Sequence, residues 1–150
     1  MTADDLRLEK RLAPTIPDGS QSDIGTVVGS TLAGPTRRGE VLTDVRLLGR
    51  RLAESAAGPD ARIVPVHPAD SALTDLVRPG DVVDVVAASD ADSHANPRVV
   101  ATGAIVVLVS AKQKAQAASN DRVVLVALPA ASAIAVAGAA LVQTVTLTLH

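Results

Sequence analysis

Apolar residues in this chain come in short blocks, and the spacing within each block predicts its element. Val82-Val83-Asp84-Val85-Val86-Ala87 is short and β-branched, the composition of a buried strand. Arg62-Ile63-Val64-Pro65-Val66-His67 has the same character. Between them, Pro68 to Val77 predicts a short amphipathic helix, and Arg78-Pro79-Gly80-Asp81 reads as a turn. The order recurs near the C-terminus. Val123-Val124-Leu125-Val126 predicts a strand. Ala130 to Ala137 predicts a small-residue helix with Pro129 near its first turn, and Gly138 stands inside or at the end of it. Thr144 to Leu149 alternates polar and apolar with period two, a half-buried strand. The chain therefore carries two β-α-β units of similar length, the first with its charges kept.

The second unit changes the picture in one respect. From Val123 to His150 there is no Asp, Glu, Lys or Arg. An apolar run of ~18 residues or more is a candidate membrane span. Against that reading stand Pro129, the small Ala-rich middle, the alternation after Thr144, and the charged twin upstream. The expectation is strand, helix and strand folded in water.

The N-terminal third is punctuated differently. Thr2-Ala3-Asp4-Asp5 fits the Thr-x-x-acid start of a helical turn. Pro14, Pro17, Asp18 and Gly19 make an extended or turning stretch. Ser22 to Gly29 predicts a helix of one or two turns, with Ser22 as cap and Gly29 as left-handed stop. Arg37-Arg38-Gly39-Glu40 makes a turn in which Gly39 takes positive φ. Val41 and Leu42 lead back to the core, Thr43 caps a short turn through Val45, and Leu47 and Leu48 return. Ser55 to Asp60 reads as a boundary. Ser89 to Pro97 is a polar loop, Arg98 to Ser110 holds one or two strands around Gly103, and Ala111 to Asn120 has no apolar face to bury.

Composition narrows the chemistry. Of 150 residues 47% are hydrophobic but none is aromatic, so Val, Ala and Leu must build the core. The net charge is -2 and the basic pairs Arg37-Arg38 and Arg50-Arg51 have acids close by; with no aromatic platforms, this predicts no nucleic-acid partner. Absence of cysteine excludes thiol catalysis, disulfides and zinc-thiolate sites. His67, His94 and His150 show no metal-ligand spacing. Asp81 is read as capping the Pro79-Gly80 turn, and Asp84 as facing solvent or pairing with an Arg. No Gly pattern cradles phosphate. The sequence thus predicts no catalytic residues, no metal and no cofactor, and a protein that is not an enzyme.

The stretch "LAGPTRRGEVLTDVRL", Leu32 to Leu47, resembles the second half of a SAF domain, a small β-clip module. The likeness lies in an apolar strand, a Gly turn and Leu-Thr-x-x-x-Leu, matched by Leu32, Gly39, Leu42, Thr43 and Leu47. "MTADDLRL" resembles the end of the first half, with Met1 where a Leu would stand. The two stretches are then paired halves of one pseudo-symmetric module. The first half's strand and Gly turn have no counterpart upstream, so the expectation is an N-terminally truncated piece. Downstream, "IVPVHPADSALTDLVRPGDVVDVVAA" and "VVLVALPAASAIAVAGAALVQTVTLTLH" resemble the segment that follows SAF in the Flp-pilus assembly proteins CpaB/RcpC, in an Ala-rich actinobacterial style.

The resemblance implies an α+β, mostly β protein: a partial SAF (β-clip) domain over 1–55, then a domain of two β-α-β units over 61–150. It implies a non-catalytic envelope scaffold or assembly module, outside the cytoplasm and membrane-anchored in its full-length form. Expected partners are envelope or pilus-assembly proteins, docked on exposed strand edges, and an unpaired edge would favour a homodimer. SAF modules of some families contribute to sugar sites. A cell-wall glycan could therefore be held by Arg37, Arg38, Glu40, Thr43 and Asp44 through charge-assisted hydrogen bonds. Alternatively, Arg37 and Arg38 only solubilise the turn that Thr43 follows.

Overall fold

A computed structural model describes residues 1–70, 72–88, 96–111 and 122–150. His94, the Ser89 to Pro97 loop up to residue 95, and the Ala111 to Asn120 segment beyond Ala111 lie outside the described residues. The apolar blocks become β1 (Arg62–Val66), β2 (Val82–Ala87), β3 (Arg98–Val109), β4 (Val124–Leu128) and β5 (Val145–Leu149). They form one sheet in the order β1-β4-β3-β2-β5, and every neighbouring pair is antiparallel. The fold is α+β and mostly β.

Among the described residues four helices accompany the sheet: α1 (Ile24–Val27), α2 (Arg50–Ala57), α3 (Leu73–Leu76) and α4 (Ala130–Val142). Alternation along the strands assigns α2 and α4 to opposite faces. Val64, Val66, Val124, Val126 and Leu128 join Ala133, Val136 and Ala139 of α4 in one buried cluster. Ile63, next in chain to Val64, points the other way and lines a groove with Arg50 and Ala53 of α2. The core is aliphatic throughout, with Val83, Val85, Val106 and Leu147 also buried. Burying one such side chain contributes ~1.5–3 kcal/mol, so the absence of aromatics is offset by many small increments.

Both strand–helix–strand units are present, with a topology the residue pattern does not reveal. β1 and β2 end up three positions apart and antiparallel, and so do β4 and β5. Each unit straddles two strands of the sheet, and the two interleave. The helix of the first unit is only Leu73–Leu76, shorter than the Pro68 to Val77 expectation. That of the second extends to Val142, because Gly138 is followed by the helix formers Ala139, Ala140 and Leu141. Arg98 to Val109 forms a single strand with an irregularity at Gly103, where φ is 69°. Asp84 Oδ1 accepts the Gly103 N–H at 2.9 Å there, a side chain standing in for a ladder partner.

In residues 1–48, the N-terminal region winds around itself with few buried side chains; Val27 is the buried hydrophobic residue there. Two similar 3-10 turns, Ala3–Asp5 and Asp44–Arg46, each follow a threonine, Thr2 and Thr43. The residue before each threonine offers its carbonyl to a distant N–H: Met1 to Gly29 at 3.0 Å, Leu42 to Gln21 at 2.9 Å. The two turns share this backbone form but not their side-chain bonds: Thr2 N–H and Oγ1 both donate to Asp5 Oδ2, at 2.8 and 2.9 Å, whereas Arg46 stands at the matching place after Thr43. Asp23, not Ser22, caps α1, accepting the Gly25 N–H at 2.8 Å. Gly29 follows with φ 85°.

The expected boundary at Ser55 to Asp60 begins inside the last turn of α2. Arg50 and Arg51 open that helix. Among the described residues no helix is long and apolar enough to cross a membrane.

Candidate functional site

The turn at Arg37 to Glu40 is closed twice. Glu40 N–H donates to the Arg37 carbonyl at 3.1 Å, and Arg37 N–H donates to Glu40 Oε2 at 3.1 Å. Gly39 supplies the positive φ, 83°, that the turn requires. The other Glu40 oxygen accepts Arg46 Nε at 2.9 Å, and Arg46 Nη2 approaches the same oxygen. Arg46 first, then the Arg37 N–H, hold the Glu40 carboxyl below its usual range.

Asp44 is committed in the same way. Its N–H donates to the Gly19 carbonyl at 2.9 Å, and Oδ2 accepts Arg51 Nε at 3.0 Å. Thr43 makes an antiparallel bridge with Ser20, and its side chain forms no cap hydrogen bond, contrary to the capping role expected for it. Arg50 and Arg51 both reach Glu54, whose carboxyl lies below its usual range through the Arg50 hydrogen bond.

The five expected site residues therefore separate by chemistry. Glu40 and Asp44 are neutralised internally by Arg46 and Arg51. Thr43 carries backbone structure. Arg37 and Arg38 remain, exposed at the tip, with no side-chain ion pair or hydrogen bond among the described residues. What this tip can do is present two guanidiniums to an anion, without walls to exclude water. The sequence reading missed Arg46, Arg51 and Gly19, which fix the loop. Arg46 lies within the quoted stretch, but its partner is six residues away across a turn, a spacing that no periodic pattern marks.

Two open grooves flank α2. One of about 670 Å³ runs between α2, β1 and the start of α4, past Arg50, Asp60 and Arg62. The other, about 380 Å³, is mainly apolar and lies between Ala33–Pro35, α2 and β3. Neither is lined by Arg37 or Arg38. Among the described residues no three His, Asp or Glu side chains gather in a metal-binding group.

A second polar constellation was only partly foreseen. Asp84 pairs with His150 Nε2 at 2.8 Å rather than with an arginine. With the Gly103 N–H, this ties β5, β2 and β3 together. The His150 hydrogen bond first, then the Gly103 N–H, lower the Asp84 pKa. A carboxyl lowered on folding stabilises the fold above its unfolded value and loses that contribution as pH falls through the folded value. The urea midpoint of the wild type should therefore exceed that of Asp84→Asn at pH 5, and the gap should close below about pH 4. A gap that stays constant down to pH 2 would refute the tie. Asp81 holds the role expected of it, accepting the Arg78 N–H at 2.7 Å.

The β5 edge is the other feature open to a partner. Ala88 N–H donates to Thr144 O at 2.8 Å, and the register pairs Val86 with Thr146 and Asp84 with Thr148. Thr144, Thr146 and Thr148 thus turn their backbone groups toward β2, and Val145, Leu147 and Leu149 turn theirs outward. The Val145 carbonyl accepts the Ala69 N–H at 2.9 Å. The outward N–H and C=O groups of Leu147 and Leu149 have no partner among the described residues. At the opposite edge Pro65 interrupts β1, a residue that lacks the donor a docking strand needs.

The chain is thus an N-terminal region of 3-10 turns, a one-turn helix and isolated β-bridges, joined through α2 to an aliphatic five-stranded sheet. Residues 1–48, about a third of the chain, match the family model of the SAF domain, a family of non-catalytic binding modules. No curated protein and no solved structure matches the chain. The likeness to the SAF domain is carried by those residues alone.

Proposed function

We propose that the chain is a non-catalytic scaffold or assembly module of the CpaB/RcpC type that docks extended segments of envelope proteins outside the cytoplasm. The open edge of β5 carries this reading. It offers unpaired backbone groups on an uncharged, proline-free strand, the requirement for adding a partner strand. The SAF match and the resemblance of the downstream segments give it context. A photo-crosslinking residue at position 149, in cells that make the protein, should trap discrete adducts identifiable by mass spectrometry as envelope assembly proteins. The Leu149→Pro variant removes an outward N–H and spares the β2 ladder. With the crosslinker moved to position 147, it should lose those adducts. Adducts unchanged by Leu149→Pro, or none with wild-type backbone, would overturn the reading.

One observation favours a second reading: the unpaired Arg37 and Arg38 side chains suit a carboxylated glycan. Titration with peptidoglycan fragments should give salt-sensitive binding that the Arg37→Ala/Arg38→Ala variant abolishes. Equal behaviour of the two proteins would remove it.

A further inference from the structure

We propose that the stretch from Arg7 to Ile16, together with the Arg37-Arg38 tip beside it, docks on the surface of an anionic lipid bilayer. Between the turns at Ala3–Asp5 and Ala13–Thr15 the chain forms neither helix nor strand. Leu6 and Leu12, at the two ends of that interval, have extended backbone. Three large aliphatic side chains stand in water here: Leu8 is 65% exposed, Leu12 77% and Ile16 44%. Pro14 and Pro17 interrupt the stretch, so no helix gathers these side chains onto a face of its own. Cations are interspersed with them. Arg7, Lys10 and Arg11 lie in the same stretch, and Arg11 Nη2 donates across to the Gly39 carbonyl at 3.5 Å. That contact sets the Arg37-Arg38 turn against Arg11, the neighbour of Leu12 in the chain.

Charge selects the occupant. Arg7, Lys10, Arg11, Arg37 and Arg38 stand with one acid, Glu9, in a chain whose net charge is -2. Glu9 approaches Arg7 and Arg11 at 3.9 and 3.6 Å, exposed separations that water screens. Asp5 is committed to Thr2, and Glu40 to Arg46. The local surplus is therefore positive and suits a surface of negative charge. The exposed aliphatic side chains narrow the choice. A soluble anion would use the cations and leave Leu8, Leu12 and Ile16 in water. An anionic bilayer uses both. Lipid phosphates accept the guanidiniums and the ammonium, and the boundary between headgroups and acyl chains takes the aliphatic side chains, with the Arg and Lys stems lying along it. Such contact is peripheral and needs no spanning helix. It is independent of the β5 edge.

Flotation of the full chain with lipid vesicles tests this. Vesicles of equal parts phosphatidylglycerol and phosphatidylcholine should carry the protein, pure phosphatidylcholine vesicles should not, and added salt should release it. Each cation near such a surface is worth a factor of about five, so Arg37→Ala/Arg38→Ala should weaken binding more than tenfold. Leu8→Ser/Leu12→Ser should also weaken it, by about tenfold, with an unchanged circular dichroism melt because both side chains are exposed in the free protein. Should that variant melt differently, a fluorophore decides. The chain has no cysteine, so a polarity-sensitive dye attached at Leu12→Cys should shift to the blue on phosphatidylglycerol vesicles, while one at Ser55→Cys on α2 should not. A wild type that leaves phosphatidylglycerol vesicles unbound overturns the proposal. So does binding that survives Leu8→Ser/Leu12→Ser without a dye shift, which would assign the cations to a soluble polyanion such as polyphosphate. Binding lost with Leu149→Pro would overturn it too, by assigning the contact to the β5 edge. Failure of the peptidoglycan titration would leave all these expected results in place.

Discussion

Leu128→Ala is expected to lower stability by about 3 kcal/mol. Leu128 is fully buried and heads the largest enclosed side chains of the molecule. It ends β4, one residue before the Pro129 cap of α4, so its side chain stands where sheet and helix meet. Truncation removes three carbons and leaves a cavity that neighbours of Val and Ala size cannot refill, since valine has one stiff rotamer axis and alanine none. Large-to-small changes at such positions cost ~2–5 kcal/mol, against a total of ~5–15 kcal/mol for a domain. Thermal melts followed by far-ultraviolet circular dichroism should show a fall of about 10 °C for a chain of this length. Leu128→Met keeps the volume and should cost under ~1.5 kcal/mol. A loss below about 1 kcal/mol in the alanine variant would mean that α4 is not seated on the sheet as described.

The second large effect is expected in the N-terminal region. Gly19 has φ 74°, and a methyl group added there would lie 2.9 Å from Asp44 Cγ and nearer still to Oδ1. Gly19→Ala therefore combines two costs. A side chain at this φ costs ~1–2 kcal/mol. The methyl also drives the Asp44 carboxylate away from Arg51. Together the loss should reach about 2 kcal/mol, within the usual range for strained backbone sites. Gly39→Ala separates the two, because φ is 83° there with nothing within 4 Å of the added carbon. It should carry the backbone cost alone. In an Asp44→Ala background the extra cost of Gly19→Ala should vanish, the signature of a direct contact in a double-mutant cycle. Equal losses for Gly19→Ala and Gly39→Ala in the wild-type background would show that Asp44 yields freely.

Local patterns made the elements legible, and non-local ones hid their arrangement. Four of the five strands lie within the apolar or alternating blocks that predict them, β4 runs two residues past its Val123 to Val126 block to Leu128, and Pro129 marks the start of α4. What these share is a signal confined to about ten residues. α2 was missed because Gly49 gives no side-chain cap and two arginines open the helix, an order unfavourable to its dipole. Its support comes from elsewhere, from Glu54, Asp44 and the sheet.

Strand order was equally hidden. Val64 pairs with Val126 and Val85 with Leu147, and one valine-rich strand looks like another until registers compete. At the candidate site, the cationic tip and the Gly39 turn were visible in "TRRGE". The commitment of Glu40 and Asp44 to Arg46 and Arg51 was not, because it depends on how the chain crosses itself. The Asp84–His150 tie joins residues 66 apart and had no sequence signal beyond the two residue types.

The interleaved order of the sheet has a consequence for synthesis. β1 has one neighbour, β4, and must wait for Arg62 to meet Leu128; β5 has one neighbour, β2, and closes by setting Val83 against Leu149. A nascent chain emerging from the ribosome can form the β2–β3 hairpin early, but β1 has nowhere to rest until β4 is out. The sheet is complete only once the chain through Leu149 has emerged, and until then a long-lived valine-rich edge is left for chaperones to shield.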